Sequence, residues 1–425
     1  MPKNILHDND DLPERALLVS VDTGQFHAEA SLAELYELVR TAGAVPYASM
    51  TQKRPAPDNA TCVGSGMLDQ IAEFARRESV DLLVFDCELS PSQIRNIEQV
   101  TKVRTIDRTM LILDIFASRA LSKEGKLQVE LAQLKYLLPR LAGQGTVLSR
   151  LGGGIGTRGP GESKLESDRR HIRRRIDSLK EQLSQVERHR SHLNQRRKKE
   201  GVITVALVGY TNVGKSTLLN TLTQAGVLAQ DMLFATLDPT ARALRLPSGK
   251  TVMLIDTVGL VRRLPHHLVD AFRSTLEQAA LADIILNICD ASSNEAQLHL
   301  SVTRDLLHDL GCQDQPVIAV LNKCDLVPSI TQMPLIGNAV RISAATGQGI
   351  PDLLEAIEQN LPVKNVRLSL LLPFARSGLA AGIRKDGVVL EEEYVEQGLR
   401  LTALVPPDLL DEVREFILED PAEPE

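Results

Sequence analysis

Tryptophan is absent from the 425 residues, and only eight phenylalanines and five tyrosines are present. The cores must therefore be aliphatic, and an aromatic platform for stacking single-stranded RNA bases is not expected. Cysteine is also scarce: Cys62, Cys87, Cys289, Cys312 and Cys324 form an odd set with no C-x-x-C spacing. That pattern argues against a disulfide framework or a structural zinc site and fits a reducing compartment. No apolar run approaches the ~20 residues of a membrane span. The acidic opening MPKNILHDNDDLPER has no apolar core of a signal peptide, so a soluble, cytoplasmic chain is expected. An overall excess of positive charge is missing too. The formal net charge is −7, so the whole chain is not a polycation built to coat nucleic acid.

What is present is strand–helix alternation. Residues 16–21, 45–49, 81–85 and 103–106 read as strands, and 32–41, 67–77 and 91–100 as helices. The last of these has Ser90 as N-cap and Pro91 at its first position. Such alternation implies an α/β layer with a mostly parallel sheet. Between 107 and 141 the strand signals stop, and Leu111, Ile115, Leu127, Leu131, Leu134 and Leu138 suggest helices ending near Pro139. A glycine-rich stretch, residues 151–163, follows. Beyond it Leu165, Ile172, Ile176, Leu179, Leu183, Val186 and Leu193 form a heptad seam, so a long helix pairing with the preceding one is expected.

That helix is basic. Residues 163–200 carry thirteen Lys or Arg against six Asp or Glu, a net of +7, which leaves −14 for the rest. A basic arm on an acidic body suits a polyanionic partner such as RNA phosphate, although a solvated coiled-coil face would look alike. Residues 201–362 alternate strand and helix again. Residues 363–425 read as a small α/β appendage, with strands at 366–372, 388–394 and 399–405, a helix at 407–418 and a disordered tail.

The strand at 203–208 runs into Gly209, Tyr210, Thr211, Asn212, Val213, Gly214, Lys215 and Ser216, the G-x-x-x-x-G-K-[ST] phosphate loop in its strand–loop–helix setting. Its backbone N–H groups would face the phosphates at a helix N-terminus. Lys215 would reach the β- and γ-phosphates, and the Ser216 hydroxyl would ligate Mg²⁺. A second strand, 251–255, ends in Asp256, Thr257, Val258 and Gly259. The acid there can hold Mg²⁺ through water, and the Gly259 N–H can bind a γ-phosphate, a contact that exists only with the triphosphate. Between them, Phe234, Ala235, Thr236, Leu237 and Asp238 precede Pro239 and Thr240. Thr236 is favoured over Thr240 as the second Mg²⁺ hydroxyl. Lys215, Thr236 and Gly259 are the residues expected to act in catalysis.

Base identity is read from Asn322, Lys323, Cys324 and Asp325 after a strand at 317–321. A carboxylate only accepts, and guanine offers N1–H and N2–H₂ as matching donors, whereas adenine presents an acceptor at N1. Asn322 would bind the N7 side and tie the loops together, and the Lys323 stem would cover the base. Ser343, Ala344 and Ala345 are similar to the last guanine loop. Four elements in this order make a Ras-like P-loop GTPase domain. Ras-like enzymes carry a water-orienting Gln after the third-motif glycine, whereas this chain has Leu260. A hydrocarbon cannot polarise water, so slow intrinsic hydrolysis is expected.

Beyond these motifs the chain resembles the HflX-type ribosome-associated GTPases. The resemblance rests on GTRGPGESKLESDRR from Gly156 to Arg170 and on DTVGLVRRLPHHLVDAFRSTLE from Asp256 to Glu277. It rests also on VRTIDRTMLILDIFASRAL from Val103 to Leu121 and GKLQVELAQL from Gly125 to Leu134. It spans about residues 16–362. It implies GTP-dependent binding to the 50S ribosomal subunit and dissociation of 70S ribosomes. The glycine-rich tip of a hairpin from about 122 to 199 would reach towards the peptidyl-transferase region. Arg158, Arg169, Arg170, Arg173, Arg174 and Arg175 would then offer rRNA phosphate contacts. Relatives commonly show Gly-x-Gly-Lys where this chain has Gly64, Ser65, Gly66 and Met67, which puts an N-terminal purine-nucleotide site in doubt. Relatives also often carry Phe at the position of Leu260.

The expected architecture is thus α/β throughout. An N-terminal α/β domain (1–121) leads to a basic helical hairpin (122–200), a Ras-like GTPase domain (201–362) and a small C-terminal α+β appendage (363–425). A monomer is expected because the heptad helix already has an intramolecular partner. Two other functions stay open at this stage, a large-subunit assembly GTPase and a regulatory GTPase docking to a protein through the coiled coil.

Overall fold

The computed structural model describes residues 13–141, 160–199, 202–223, 233–234, 240–263, 279–309, 311–312, 315–328, 336–362 and 366–418. Its first unit is β1 (Arg15–Asp22), α1 (Ala28–Thr41), β2 (Val45–Lys53), α2 (Ser65–Arg77), β3 (Leu82–Phe85), α3 (Pro91–Thr101) and β4 (Arg104–Asp107). The strands form one parallel sheet in the order β2-β1-β3-β4. Strands β1 and β3 sit at its centre and are apolar on both faces, as a sheet covered on both sides requires. Helix α3 starts where Ser90 and Pro91 predict: Ser90 Oγ accepts from Gln93 N at 3.2 Å, and the Gln93 side chain returns the bond to Ser90 N at 2.8 Å.

Asp107 caps the next helix, α4 (Arg108–Arg119), by accepting from Met110 N at 2.8 Å. Asp114 sits in this largely buried helix, and its Oδ2 has no hydrogen-bond partner. Burial pushes the Asp114 carboxyl up to about 6, and Arg104 only partly offsets this. The folded state therefore binds this proton more tightly than the unfolded chain. The associated stability is complete below about pH 4 and is lost as pH rises through about 6. Asp114→Asn is expected to raise stability near pH 7 by on the order of 2 kcal/mol, with the gain vanishing near pH 4. Denaturant midpoints at the two pH values check this, and an equal effect at both would contradict it.

Helices α5 (Lys123–Leu141) and α6 (Pro160–Lys199) form the hairpin. Leu127 of α5 packs with Leu179 and Leu183 of α6, with Leu131 and Leu134 alongside, so the heptad pairing is intramolecular. Helix α5 ends two residues beyond Pro139. Residues 142–159, which include most of the glycine-rich stretch and Arg158, lie outside the described residues.

The second sheet holds β5 (Ile203–Gly209), β6 (Thr240–Arg245), β7 (Thr251–Asp256), β8 (Ile284–Asp290), β9 (Val317–Asn322) and β10 (Val340–Arg341), in the order β10-β9-β8-β5-β7-β6. Only β6 runs antiparallel to its neighbour. Helices α7 (Lys215–Thr223), α8 (Ala296–Asp309) and α9 (Ile350–Gln359) belong to this unit. One continuous apolar cluster runs from β1, α1 and α4 into β5, α7 and β8, so the first and second units share a core. Phe116 and Phe234 meet edge to face across that junction, their centroids 4.4 Å apart.

The last unit is an antiparallel sheet, β11-β13-β12, from β11 (Val366–Leu372), β12 (Val388–Val395) and β13 (Gly398–Val405). Helices α10 (Ser377–Asp386) and α11 (Pro407–Val413) accompany it. The expected terminal helix to residue 418 is shorter: it passes into a single 3₁₀ turn, Arg414–Phe416, and Leu418 N donates to Ser369 O at 2.8 Å on β11.

Candidate functional site

The carboxyl ends of β5, β7 and β9 converge, and the motif residues sit on the loops that leave them. Strand β5 is buried along most of its length, so its last residue, Gly209, delivers the phosphate loop from a fixed base. The loop then turns through Asn212 at φ 60° and Gly214 at φ 91° into α7. A Cβ on Gly214 would lie 2.4 Å from Asn322 Nδ2, so the base loop rests directly on the phosphate loop. Lys215 is buried, its Nζ donating to Gly209 O at 3.1 Å and Tyr210 O at 2.8 Å. Burial pushes this ammonium down to about 8, with Asp256 opposing the shift.

Ser216 Oγ donates to Asp256 Oδ2 at 2.9 Å. Two hard oxygens thus face each other beside the loop, a donor set suited to Mg²⁺. Gly259 lies against the same loop, where a Cβ would fall 2.7 Å from Thr211 Cγ2 and 3.0 Å from Lys215 Nζ. The two motifs are locked together by Leu260 N to Gly209 O at 3.1 Å and Thr211 N to Leu260 O at 2.8 Å. The Leu260 residue itself is buried in the shared core.

Asn322 ties three loops. Its Nδ2 donates to Val213 O at 2.7 Å, and its Oδ1 accepts from Ala344 N at 2.9 Å. Ser343 is fully buried and its Oγ accepts from Thr346 N, while Ala345 is exposed. Cys324 is buried, with its Sγ 3.3 Å from Leu321 O. Lys323, at φ 63°, pairs through Nζ with Asp290 at 2.9 Å, and Asp325 is exposed beside it.

Three side chains expected at the nucleotide are turned elsewhere. Thr257 is fully buried and its hydroxyl donates to Leu207 O at 2.6 Å. The Phe234 ring packs on Phe116 instead of reaching a base or phosphate. The Tyr210 ring stacks on His299, centroids 4.1 Å apart. Each of these three can offer only its backbone to a ligand. Val258 is buried as well. Ala235, Thr236, Leu237 and Asp238 lie outside the described residues, and Thr240 opens β6 opposite Asp256.

On the hairpin, Arg170, Arg173 and Arg174 are exposed and Arg169 is half-buried. Arg175 differs: its guanidinium forks onto Glu130 of α5 at 2.7 and 2.8 Å, so it closes the hairpin and is not a free phosphate ligand.

Sequence reasoning missed a buried ionic chain that joins the first unit to the segment after Gly259. Arg108 Nη1 donates to Asp86 Oδ1 at 2.7 Å, and Nη2 binds Glu34 and, at 3.2 Å, Arg262 O. Glu34 also accepts from Arg262 N at 3.2 Å. Arg262 continues to Glu295 and to His299 Nε2, and His299 carries the Tyr210 ring. Arg263 Nη1 donates to Asp86 O at 3.1 Å, and its guanidinium lies over Phe26. Burial pushes Glu34 up, while Arg108 and Arg262 hold it down. The one signal available was the pair Arg262–Arg263 directly after an apolar third motif.

Comparison with known proteins places these features in context. The family described as "GTP-binding GTPase N-terminal" matches residues 29–117, "GTP-binding GTPase Middle Region" matches 119–197, and "50S ribosome-binding GTPase" matches 204–323. The chain is 48% identical over 402 residues to a protein named GTPase HflX from Lacrimispora saccharolytica, covering 94% of this chain and 95% of that one. It is 48% identical over 407 residues to GTPase HflX of Caldanaerobacter subterraneus, covering 95% and 94% respectively. A crystal structure of a GTP-binding protein from Sulfolobus solfataricus with GDP aligns at TM-score 0.44 and 25% identity, covering 81% of this chain and 98% of that one.

Proposed function

The chain belongs to the HflX family of GTPases and is a GTP hydrolase, and from that premise we propose that it binds the 50S ribosomal subunit in its GTP form and promotes dissociation of 70S ribosomes. The observation that carries the nucleotide part is the buried Lys215 beside the Ser216–Asp256 pair, with Gly259 pressed on the loop. In this reading Lys215 releases the carbonyls of Gly209 and Tyr210 and turns to the β- and γ-phosphates. Ser216 and Thr236 would hold Mg²⁺ directly, and Asp256 would hold it through water. The metal, when bound, neutralises phosphate charge. Gly259 N–H would meet the γ-phosphate, so hydrolysis releases the segment that leads to Arg262 and Arg263. The phosphate-loop backbone from Gly209 to Val213, the backbone of Thr257 and Val258, and residues 234–238 complete the phosphate side. Asn322, Lys323, Cys324, Asp325, Ser343, Ala344 and Ala345 complete the base side.

The four-part division at 121, 200 and 362 is carried forward in this reading, with the hairpin as the rRNA-binding arm. Exposed Arg170, Arg173 and Arg174, with Arg169, would meet phosphate, and Arg158 would do so from the tip. Among the described residues no helix is long and apolar enough to cross a membrane. A monomer working in the cytoplasm, where the ribosome is, is the proposed state.

The buried Leu260 leaves no water-orienting side chain at that position. GTP turnover by the purified protein is therefore expected to be slow alone and to rise at least ~100-fold with 50S subunits, a size typical of a supplied orienting group. Equal rates with and without ribosomes would remove the ribosomal reading and leave a GTPase with another partner.

A further inference from the structure

Two of the five cysteines, separated by 25 residues in sequence, meet in the first unit. Cys62 Sγ and Cys87 Sγ lie 3.0 Å apart. Cys62 sits in the turn ahead of α2, and Cys87 directly follows the strand-end residue Asp86 after β3. The turn is held shut: Asp58 N donates to Cys62 O at 2.8 Å and Cys62 N returns a bond to Asp58 O at 2.9 Å. Helix α3 fixes it from the side, Gln93 Nε2 donating to Asp58 O at 2.7 Å and Asn96 Nδ2 to Ala60 O at 2.9 Å. Asp86 N, at the other anchor, donates to Val19 O at 2.8 Å. Both sulfurs are therefore presented by backbone that cannot easily drift apart.

Cys62 also has φ 64°, a left-handed conformation that a side chain bearing Cβ adopts only when its surroundings impose it. Glycine or asparagine would satisfy the turn at lower cost. Cys62 is also part of the first unit's apolar core, with Cys87 packed against that core, so the two sulfurs are held in contact.

We propose that Cys62 and Cys87 are a modification site, a dithiol that closes to an intramolecular disulfide when the chain meets a peroxide. The contact with Cys87 holds the Cys62 thiol below its ordinary value and favours a thiolate there. The same contact, with burial, pushes the Cys87 thiol up, so the charge stays on Cys62, and half-buried Cys87 is the side from which a small oxidant reaches the pair. The thiolate sulfur attacks one oxygen of hydrogen peroxide. An S–O bond forms, the O–O bond breaks, and the departing hydroxide takes up the proton already lost and leaves as water. The second sulfur then attacks the first. The S–S bond forms, the S–O bond breaks, and the second thiol proton leaves with hydroxide as another water. Two electrons pass from the two sulfurs to one peroxide. Burial pushes the other three thiols up as well, Cys289 to about 12, but what separates them from the pair is geometry: among the described residues none of the three has a second sulfur in hydrogen-bonding contact. The crosslink would join the turn ahead of α2 to the residue next to Asp86.

The reduced full-length chain is treated with hydrogen peroxide, quenched, denatured and alkylated with N-ethylmaleimide, then weighed intact and mapped without reduction. The expected result is alkylation of two fewer thiols than the five of the untreated chain. A single linked peptide pair should contain Cys62 and Cys87, and dithiothreitol should restore all five. Retention of all five thiols, or oxidation without a linked pair, would overturn the proposal. Cys87→Ser is expected to form no linked pair under the same treatment. If it still loses two thiols to a crosslink, the site is elsewhere and the proposal is wrong.

Discussion

Asp325→Asn is expected to lower GTP affinity by roughly 10³–10⁴-fold and to shift the nucleotide preference to xanthosine triphosphate. The aspartate is exposed at the end of β9, beside a base loop locked by Asn322 to the phosphate loop and to Ala344. Guanine presents two donors, N1–H and the 2-amino group, and a carboxylate accepts from both. An asparagine in the same place keeps one acceptor but turns an N–H₂ towards the 2-amino group, donor against donor. The lost bonds are compounded by an unpaired polar group under the base. Xanthine carries a carbonyl at C2, so the amide donor finds an acceptor while N1–H still meets the amide oxygen. Asp325 is on the surface, so the fold should be unaffected and the thermal midpoint unchanged. Competition against a fluorescent guanine nucleotide measures the effect directly. GTP affinity within tenfold of the parent would mean that Asp325 does not read the base.

The residues behind that prediction were legible because they belong to short, contiguous strings whose chemistry dictates their spacing. The phosphate loop, the third motif and the base motif each follow a strand that the apolar runs mark, and those strands stand within a residue or two of where the sequence puts them. Ser90 and Pro91 located the start of α3 for the same local reason. Local signals failed where a side chain had a choice of direction. Thr257, Phe234 and Tyr210 lie within motif strings, yet their side chains turn to a strand carbonyl, a ring of the first unit and His299. Arg175 was indistinguishable in sequence from its neighbours, and only the hairpin pairing with Glu130 separates it from them. The largest omission was the ionic chain. Glu34 and Arg262 are 228 residues apart, and neither carries a local pattern that points to the other. The close Cys62–Cys87 pair was hidden in the same way, since an odd count without C-x-x-C spacing says nothing about which loops a parallel sheet brings together.

Arg108→Met should be the most damaging single change in the first unit, costing about 3–5 kcal/mol. Arg108 is buried and binds Asp86, Glu34 and the Arg262 carbonyl at once. Methionine fills much the same volume, so the loss is electrostatic: two carboxylates stay in a low-dielectric interior with their shared cation removed. Ser31 Oγ at 2.6 Å and Arg263 at 3.5 Å remain for Asp86, whereas Glu34 keeps only the Arg262 side of its contacts. The pH dependence follows from Glu34. Burial already raises its carboxyl, and Arg108 is the main influence holding it down. Without Arg108 the folded-state value climbs further above the unfolded one. The variant should therefore be least destabilised at acid pH, where Glu34 is protonated in both states, and lose stability as pH rises through the raised folded-state value. The defect should also travel. Arg262 and Arg263 anchor the segment after Gly259 to Glu34, Asp86 and Phe26, so amide hydrogen exchange around Val261 should accelerate together with that of α1 and β3. Arg108→Lys keeps the charge but cannot fork between two carboxylates, and an intermediate loss is expected from it. A loss below about 1 kcal/mol for Arg108→Met, or one that does not vary with pH, would show that this ionic chain does not couple the segment after Gly259 to the first unit.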